Sequence, residues 1–345
     1  MNSHRALIQA MVDVMRPQPG QLIADPAAGT GGFLLAAHDY IRQHHKLDRD
    51  QRYHLNHHAL RGWEIVDNAA RLCVMNLYLH GIGHDSTDSP IHVDDSLRSA
   101  PGAKFNMVLT NPPFGKKSSV TYINELGEKK TETLAIERQD FWATTSNKQL
   151  NFVQHVYSML GIGGTAAIVV PDNVLFEGGA GETVRRRLLH ACDVHTLLRL
   201  STGIFYAQGV KANALFFDVR GEAKERASQE LWIYDLRTNK NFTLKQNPLT
   251  RADLDDFVQC YHPENRHQRT PTWSKDNPDG RWRRFTYDEL ATRDKLSLDI
   301  FWLRDESLED TARLPDPDVL ASEIVEDLEA ALEQFREIAE ELGEL

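Results

Sequence analysis

The chain has 345 residues, 41% hydrophobic and 26% charged, enough for roughly two globular domains and too apolar for extended disorder. No run approaches the ~18 apolar residues of a membrane span, the opening MNSHRALIQAMVDVM carries no secretory cleavage pattern, and three cysteines without a C-x-x-C pair fit a reducing, cytoplasmic compartment. The net charge of −11 is concentrated in residues 305–345, which hold 15 acidic and 2 basic side chains; residues 1–304 balance near +2 and leave an anionic substrate open.

Residues 4–16 place Leu7, Ile8, Met11, Val12 and Met15 on one helical face, and Pro17 and Pro19-Gly20 end that helix. QLIAD (21–25) reads as a short buried strand running into the glycine-rich turn AAGTGG (27–32) and a helix over 33–45. The His-rich stretch 44–58 reads as a surface connection. His54, His57 and His58 lack Cys or carboxylate at ligand spacing, so no metal site is expected there. A strand at 59–65 and a helix at 67–81, ended by Gly81, come next, then strands at 91–97 and 105–110. From 115 to 147 the pattern dissolves, and a loop so long in a compact domain is usually functional or disordered. Helices are expected at 148–161 and 181–192, and strands at 163–171, 193–200 and 213–220, with 230–237 a further strand able to extend the sheet edge. Residues 240–315 are mixed, and 322–342 is strongly helical. Strands alternating with helices give an α/β, doubly wound, mostly parallel sheet.

Three motifs carry chemistry. DPAAGTGG (25–32) puts Gly29, Gly31 and Gly32 after a strand, letting backbone pass close to a ligand at a helix start. Leu34 stands where a dinucleotide fingerprint needs glycine, and the Lys of a P-loop is missing. Asp25 would repel a phosphate and favours a cationic ligand such as the ammonium and sulfonium of S-adenosyl-L-methionine; otherwise the motif is a tight turn without a ligand. Glu64 ends the second strand, where an acid grips ribose hydroxyls, or else serves as an acid near a helix start. Asp95, after the third strand, has the same two readings and could accept from an adenine amine. Asn111-Pro112-Pro113-Phe114 follows the fourth strand: the prolines remove two N–H donors and leave carbonyls, Asn111 adds an acceptor, and Phe114 an aromatic face. Such a corner suits a planar exocyclic amine; by itself it is also a rigid turn.

Together these residues resemble the N6-adenine DNA methyltransferases, and within them the modification subunit of type I restriction–modification systems. The stretches that carry the resemblance are DPAAGTGGFL, GWEIVDNAARLCVMNLYLHGI, DDSL, VLTNPPFG, NKQLNFVQHVYSMLGIGGTAAIVVPDNVLF and KANALFF over about residues 1–220, with LSLDIFWLRDESLED near the end. The family's helical N-terminal domain has no counterpart ahead of this core, and Ser3-His4-Arg5 stands in place of its Phe-Thr-Pro-Arg motif, as expected of a truncated product or a fragment. The resemblance implies a seven-stranded S-adenosylmethionine-dependent core over 1–240, a mixed region over 241–320 and an acidic docking helix over 321–345. It assigns Asp25, Pro26, Ala27, Gly29, Thr30 and Gly31 to the methionine end of the cofactor, Glu64 to its ribose and Asp95 to its adenine. Asn111, Pro112, Pro113 and Phe114 then receive a flipped adenine, with no metal and no covalent intermediate.

The resemblance also names partners: double-stranded DNA, a DNA-specificity subunit, and a restriction (translocase) subunit in the full complex. Lys116, Lys117, Lys129 and Lys130 in the 115–147 loop are the candidate phosphate contacts; Arg185–Arg187 is a weaker one, as readily a solvated face. Ile324, Leu328, Ala331, Phe335, Ile338 and Leu342 form a heptad seam fit for a partner helix, or for packing on the chain's own domain. The competing readings are a glutamine-amide methyltransferase, since the corner also suits a carboxamide, and a non-catalytic scaffold.

Overall fold

The computed structural model describes residues 3–83, 89–114, 119–123, 129–133, 135–205, 210–221, 226–244 and 246–305. In chain order the elements are α1 (Ser3–Met15), β1 (Ile23–Asp25), α2 (Gly32–His44), α3 (Arg49–His57), β2 (Leu60–Trp63), α4 (Asp67–Leu79), β3 (Ile91–His92), β4 (Phe105–Thr110), β5 (Ser119–Ile123) and β6 (Lys129–Thr133). They continue with α5 (Lys148–Met159), β7 (Leu160–Pro171), α6 (Asn173–Phe176), α7 (Ala180–Ala191), β8 (Cys192–Arg199), β9 (Ala212–Val219), β10 (Glu230–Asp235), α8 (Asp255–Tyr261), β11 (Trp282–Thr286) and α9 (Tyr287–Ala291).

The strands build one sheet in the order β11-β10-β8-β9-β7-β4-β1-β2-β3. From β3 to β7 all neighbours are parallel; β9 is antiparallel to both β7 and β8. This is the expected doubly wound frame of seven strands, widened to nine. β10 pairs parallel with β8, and β11 closes the edge antiparallel to β10. The order in which successive strands are added reverses between the parallel neighbours β1 and β4, so their carboxyl ends form the crevice where open α/β sheets take their ligands.

Alternation along each strand sends successive side chains to opposite faces. Ile23, Met107 and Leu109 pack with Leu7 and Met11 of α1, Leu34 and Ile41 of α2 and Phe257 of α8. Ala24, Val108 and Ile168 face Leu150 and Val156 of α5 and Val184 and Leu188 of α7. The helices thus cover both faces, which is why the central strands are apolar throughout.

Several elements differ from the sequence expectation. The stretch read as a surface connection contains α3, opened by a capping box in which Asp48 and Gln51 exchange side-chain and backbone bonds. Within 115–147, read as a long functional or disordered loop, β5 and β6 pair as an antiparallel hairpin with Tyr122 opposite Lys130. β11 went unforeseen because WRRFT sets two adjacent arginines, half-buried Arg283 and exposed Arg284, between the buried Trp282 and Phe285: Trp282 stacks on Trp232 at 5.3 Å, while Arg283 lies 3.7 Å above Trp273. One compact unit runs to Leu303 and Arg304–Leu345 is a second unit. The acidic helix expected at 321–345 lies outside the described residues. Among the described residues no helix is long and apolar enough to cross a membrane.

Two buried arginines fasten the late segment. Arg185, 3% exposed, donates to the carbonyls of Val174, Glu177, Lys295 and Leu296. Arg199, fully buried, donates to the Ile300 carbonyl at 2.6 Å and the Asp299 carboxylate at 2.7 Å. Arg185 is therefore neither a solvated residue nor a phosphate contact; Arg186 is on the surface, paired with Glu182 at 2.8 Å. Arg185→Ala should orphan four carbonyls and cost about 3 kcal/mol, seen by calorimetry as a fall in Tm of roughly 5–10 °C. Arg186→Ala should leave Tm within about 1 °C of wild type.

Candidate active site

The glycine-rich turn is held by carboxylates at both ends. Asp25, the last residue of β1 and 1% exposed, accepts from Ala27 N–H at 3.0 Å and from Thr110 Oγ1 at 2.7 Å. Burial pushes its carboxyl up to about 7 against those two bonds, and nearby Glu64 adds to the rise. Glu64, half-buried after β2, accepts from Gly29 N–H at 3.0 Å and Val66 N–H at 2.8 Å, tying the turn to the neighbouring strand. Each of its oxygens keeps a lone pair for another donor. Gly29 (φ +54°) and Gly31 (φ +86°) hold the left-handed backbone the turn needs. A Cβ on Gly31 would come within 2.9 Å of Cys73 Sγ, whereas one on Gly29 would meet nothing within 4 Å. The Gly29 backbone is thus open to an incoming group.

Asp95 is exposed and accepts from Leu97 N–H at 3.0 Å, while Ser96 Oγ donates to the Pro26 carbonyl at 2.8 Å. The loop after β3 is in this way stitched to the turn after β1, and Asp25, Pro26, Ala27, Gly29, Thr30, Gly31, Glu64 and Asp95 form one neighbourhood at the carboxyl ends of β1–β3.

Asn111 begins the turn after β4, one residue beyond Thr110. Pro112 is buried, Pro113 exposed and Phe114 half-buried. The Asn111 Nδ2 lies 3.0 Å from His4 Nε2, yet its Oδ1 is buried with no hydrogen-bond partner among the described residues. An unmet buried acceptor costs about 1–3 kcal/mol, a cost that a hydrogen-bond donor entering the crevice would remove. Gln149 Nε2 donates to the Pro113 carbonyl at 3.3 Å and fixes the turn. Phe114 meets Phe205 edge-on at 5.2 Å, and Phe205 meets His4 edge-on at 6.1 Å. Sequence reasoning missed Thr110, His4, Gln149 and Phe205. Thr110 could have been found from its place beside Asn111; His4 and Phe205 are 107 or fewer residues from the turn they brace and carry no local signal.

A cavity of about 970 Å³ lies beside this crevice between α1, α2 and α4 and touches the turn only at Thr30 and Gly32. Lys116 and Lys117 lie outside the described residues, as do the side chains of Lys129 and Lys130, whose backbone lies in β6. His54, His57 and His58 cluster as ring contacts on α3 and its end.

The N-6 DNA Methylase family matches residues 3–293. The chain belongs to that family. It is 39% identical to the EcoKI type I restriction enzyme methylase subunit of Escherichia coli (strain K12), over 98% of this chain and 67% of that protein. It is 38% identical to the StySJI methylase subunit of Salmonella typhimurium, over the same shares. The crystal structure of the EcoKI M protein matches with a TM-score of 0.74 at 37% identity, covering 98% of this chain and 72% of that one. This methylase subunit is therefore an adenine-specific DNA methyltransferase of the type I restriction–modification class, and its sheet is that of the methyltransferases.

Asp25 makes stability depend on pH. Its folded pKa lies above the ordinary 3.8, so the folded protein retains a proton that the unfolded chain has released. The stabilisation is full below about pH 4 and is lost as pH rises through about 7. Asp25→Asn should abolish this dependence and raise Tm at pH 8 relative to wild type, as measured by calorimetry across pH 5–8 without cofactor.

Proposed function

We propose that the crevice between β1 and β4 binds S-adenosyl-L-methionine against the Asp25–Gly31 turn and methylates the N6 amine of an adenine flipped onto Phe114. The observation that carries this reading is the orphaned Asn111 Oδ1, one residue from the Thr110–Asp25 bond. Three features support the fit of the cofactor: a buried carboxylate that a cation would satisfy, an open Gly29 backbone, and a Glu64 whose oxygens retain acceptor capacity.

In this assignment Asp25 faces the methionine ammonium, Pro26, Ala27, Gly29, Thr30 and Gly31 present backbone to it, Glu64 takes the ribose hydroxyls and Asp95 the adenine amine. When bound, the cofactor supplies an electrophilic methyl on sulfur. Asn111 Oδ1 and the Pro112 carbonyl accept the two N6 hydrogens, which raises electron density on nitrogen and aims its lone pair along the line of transfer. Pro112 and Pro113 stiffen the corner so that these acceptors do not reorganise. Phe114 stacks on the base, worth about 1–3 kcal/mol, which offsets much of the few kcal/mol needed to unstack it.

We assign DNA contact to the 115–147 segment with Lys116, Lys117, Lys129 and Lys130. Docking on a DNA-specificity subunit, beside a restriction subunit, is assigned to the helix at 321–345. Asn111→Ala should lower transfer of tritiated methyl to host DNA by roughly 100-fold, while cofactor affinity by titration calorimetry stays within a few fold; unchanged transfer would remove the reading. A chain ending at residue 320 should retain cofactor binding yet fail to co-elute with co-expressed neighbouring subunits on gel filtration.

A further inference from the structure

We propose that His4 is a positioning residue that turns the Asn111 amide so that its oxygen, not its nitrogen, faces the base pocket. The inference deepens the reading above and rests on it. The two ends of an asparagine amide are nearly identical in shape, and the hydrogen-bond network decides which way it points. An inverted Asn111 would offer N–H to an amine that itself has only N–H to give, and transfer would stop.

The described residues contain one contact that breaks this symmetry. His4 Nε2 lies 3.0 Å from Asn111 Nδ2. A neutral imidazole protonated on Nδ1 can only accept at Nε2, so the amide nitrogen is drawn toward the ring. The oxygen is left on the other side, buried and unpartnered. The ring is itself held in place. Ser3, 1% exposed, accepts from Leu249 N–H at 3.0 Å, and the edge of Phe205 meets the imidazole at 6.1 Å. The same Phe205 braces Phe114, so His4 and the proposed stacking ring share one aromatic support.

Protonating His4 should undo the arrangement. Imidazolium donates at Nε2, the amide then turns its oxygen toward the ring, and the pocket loses its acceptor. Burial pushes the His4 pKa below its usual 6.5, so the ring is neutral at neutral pH, and its Nδ1–H tautomer is the one that accepts at Nε2. The other titratable groups around the adjoining cavity are Arg5 and Asp13 on α1, Asp39, Tyr40 and His44 on α2 and His80 on α4. Asn111 and Phe205, which meet the ring among the described residues, are uncharged.

The test measures kcat for methyl transfer by the full chain with its co-expressed neighbouring subunits, from pH 5.5 to 8.5, with cofactor saturating at each pH so that Asp25 titration does not enter through binding. Wild type should lose activity on an acid limb below pH 6.5. His4→Phe keeps the ring edge but cannot accept, and should lower kcat at pH 7.5 about fivefold with no acid limb. His4→Gln offers a carbonyl that does not titrate; it should restore most of kcat at pH 7.5 and also lack the limb. Cofactor affinity and Tm within error of wild type in either variant exclude a folding defect. Wild-type kcat and an unchanged acid limb in both variants would overturn the role of His4. Full activity of Asn111→Ala would instead overturn the site reading, whatever the His4 variants do.

Discussion

A buried hydrogen bond of 2.7 Å, from Thr110 Oγ1 to Asp25 Oδ1, joins the ends of two strands 85 residues apart in the chain. β1 and β4 are parallel neighbours at the point where the winding reverses, so whatever follows each strand is forced into the same crevice. After β1 comes the glycine-rich turn, and after β4 the Asn-Pro-Pro-Phe corner. The bond clamps one to the other within the span of adjacent strands, about 5 Å. A methyl donor and a methyl acceptor held on these turns would have little freedom to separate, and such restriction is the main thing an in-line transfer asks of a protein.

The crevice is assembled at a local cost in stability. Asp25 is buried beside a second carboxylate and has its pKa raised for that reason. Asn111 Oδ1 goes without a partner, and Gly29 and Gly31 occupy left-handed backbone. Each would be easier to satisfy in a protein selected for stability alone. The first two would be relieved by a cation against Asp25 and an amine against Asn111. Strain that clusters where a single pair of ligands would release it is the pattern of a functional site. The well-packed apolar layers on both faces of the sheet carry that cost.

Positive charge in this methylase subunit serves two ends. Arg185 and Arg199 are structural clasps that draw residues 295–300 onto the sheet, and Arg237 grips Asp172 through paired bonds of 2.7 and 2.8 Å at the end of β7. A basic run on a helix therefore said little about nucleic acid. Arg185 is buried while Arg186, beside it, is paired at the surface, because a helix turns successive residues about 100° apart.

Most of the frame and the two chemical turns were legible in the sequence, because both depend on local chemistry. Buried parallel strands are continuous apolar runs, as in FNMVLT, and a turn that needs left-handed backbone needs glycine, as in AAGTGG. α3 was legible too, through the Asp48–Gln51 capping box, and was passed over because its faces are polar and histidine-rich. β11 was hidden because each face of this edge strand mixes a buried aromatic with an arginine, Trp282 with Arg284 and Phe285 with Arg283, so neither face reads as an apolar stripe. What tertiary structure alone decided is which distant residues complete the pocket. Thr110 reaches Asp25, His4 reaches Asn111 and Phe205 braces Phe114 across separations that no periodicity encodes. Local pattern fixes strand, helix and turn because those bonds form between near neighbours. The orientation of one amide is set only when strand order and helix packing bring an imidazole from the far end of the chain to within 3.0 Å.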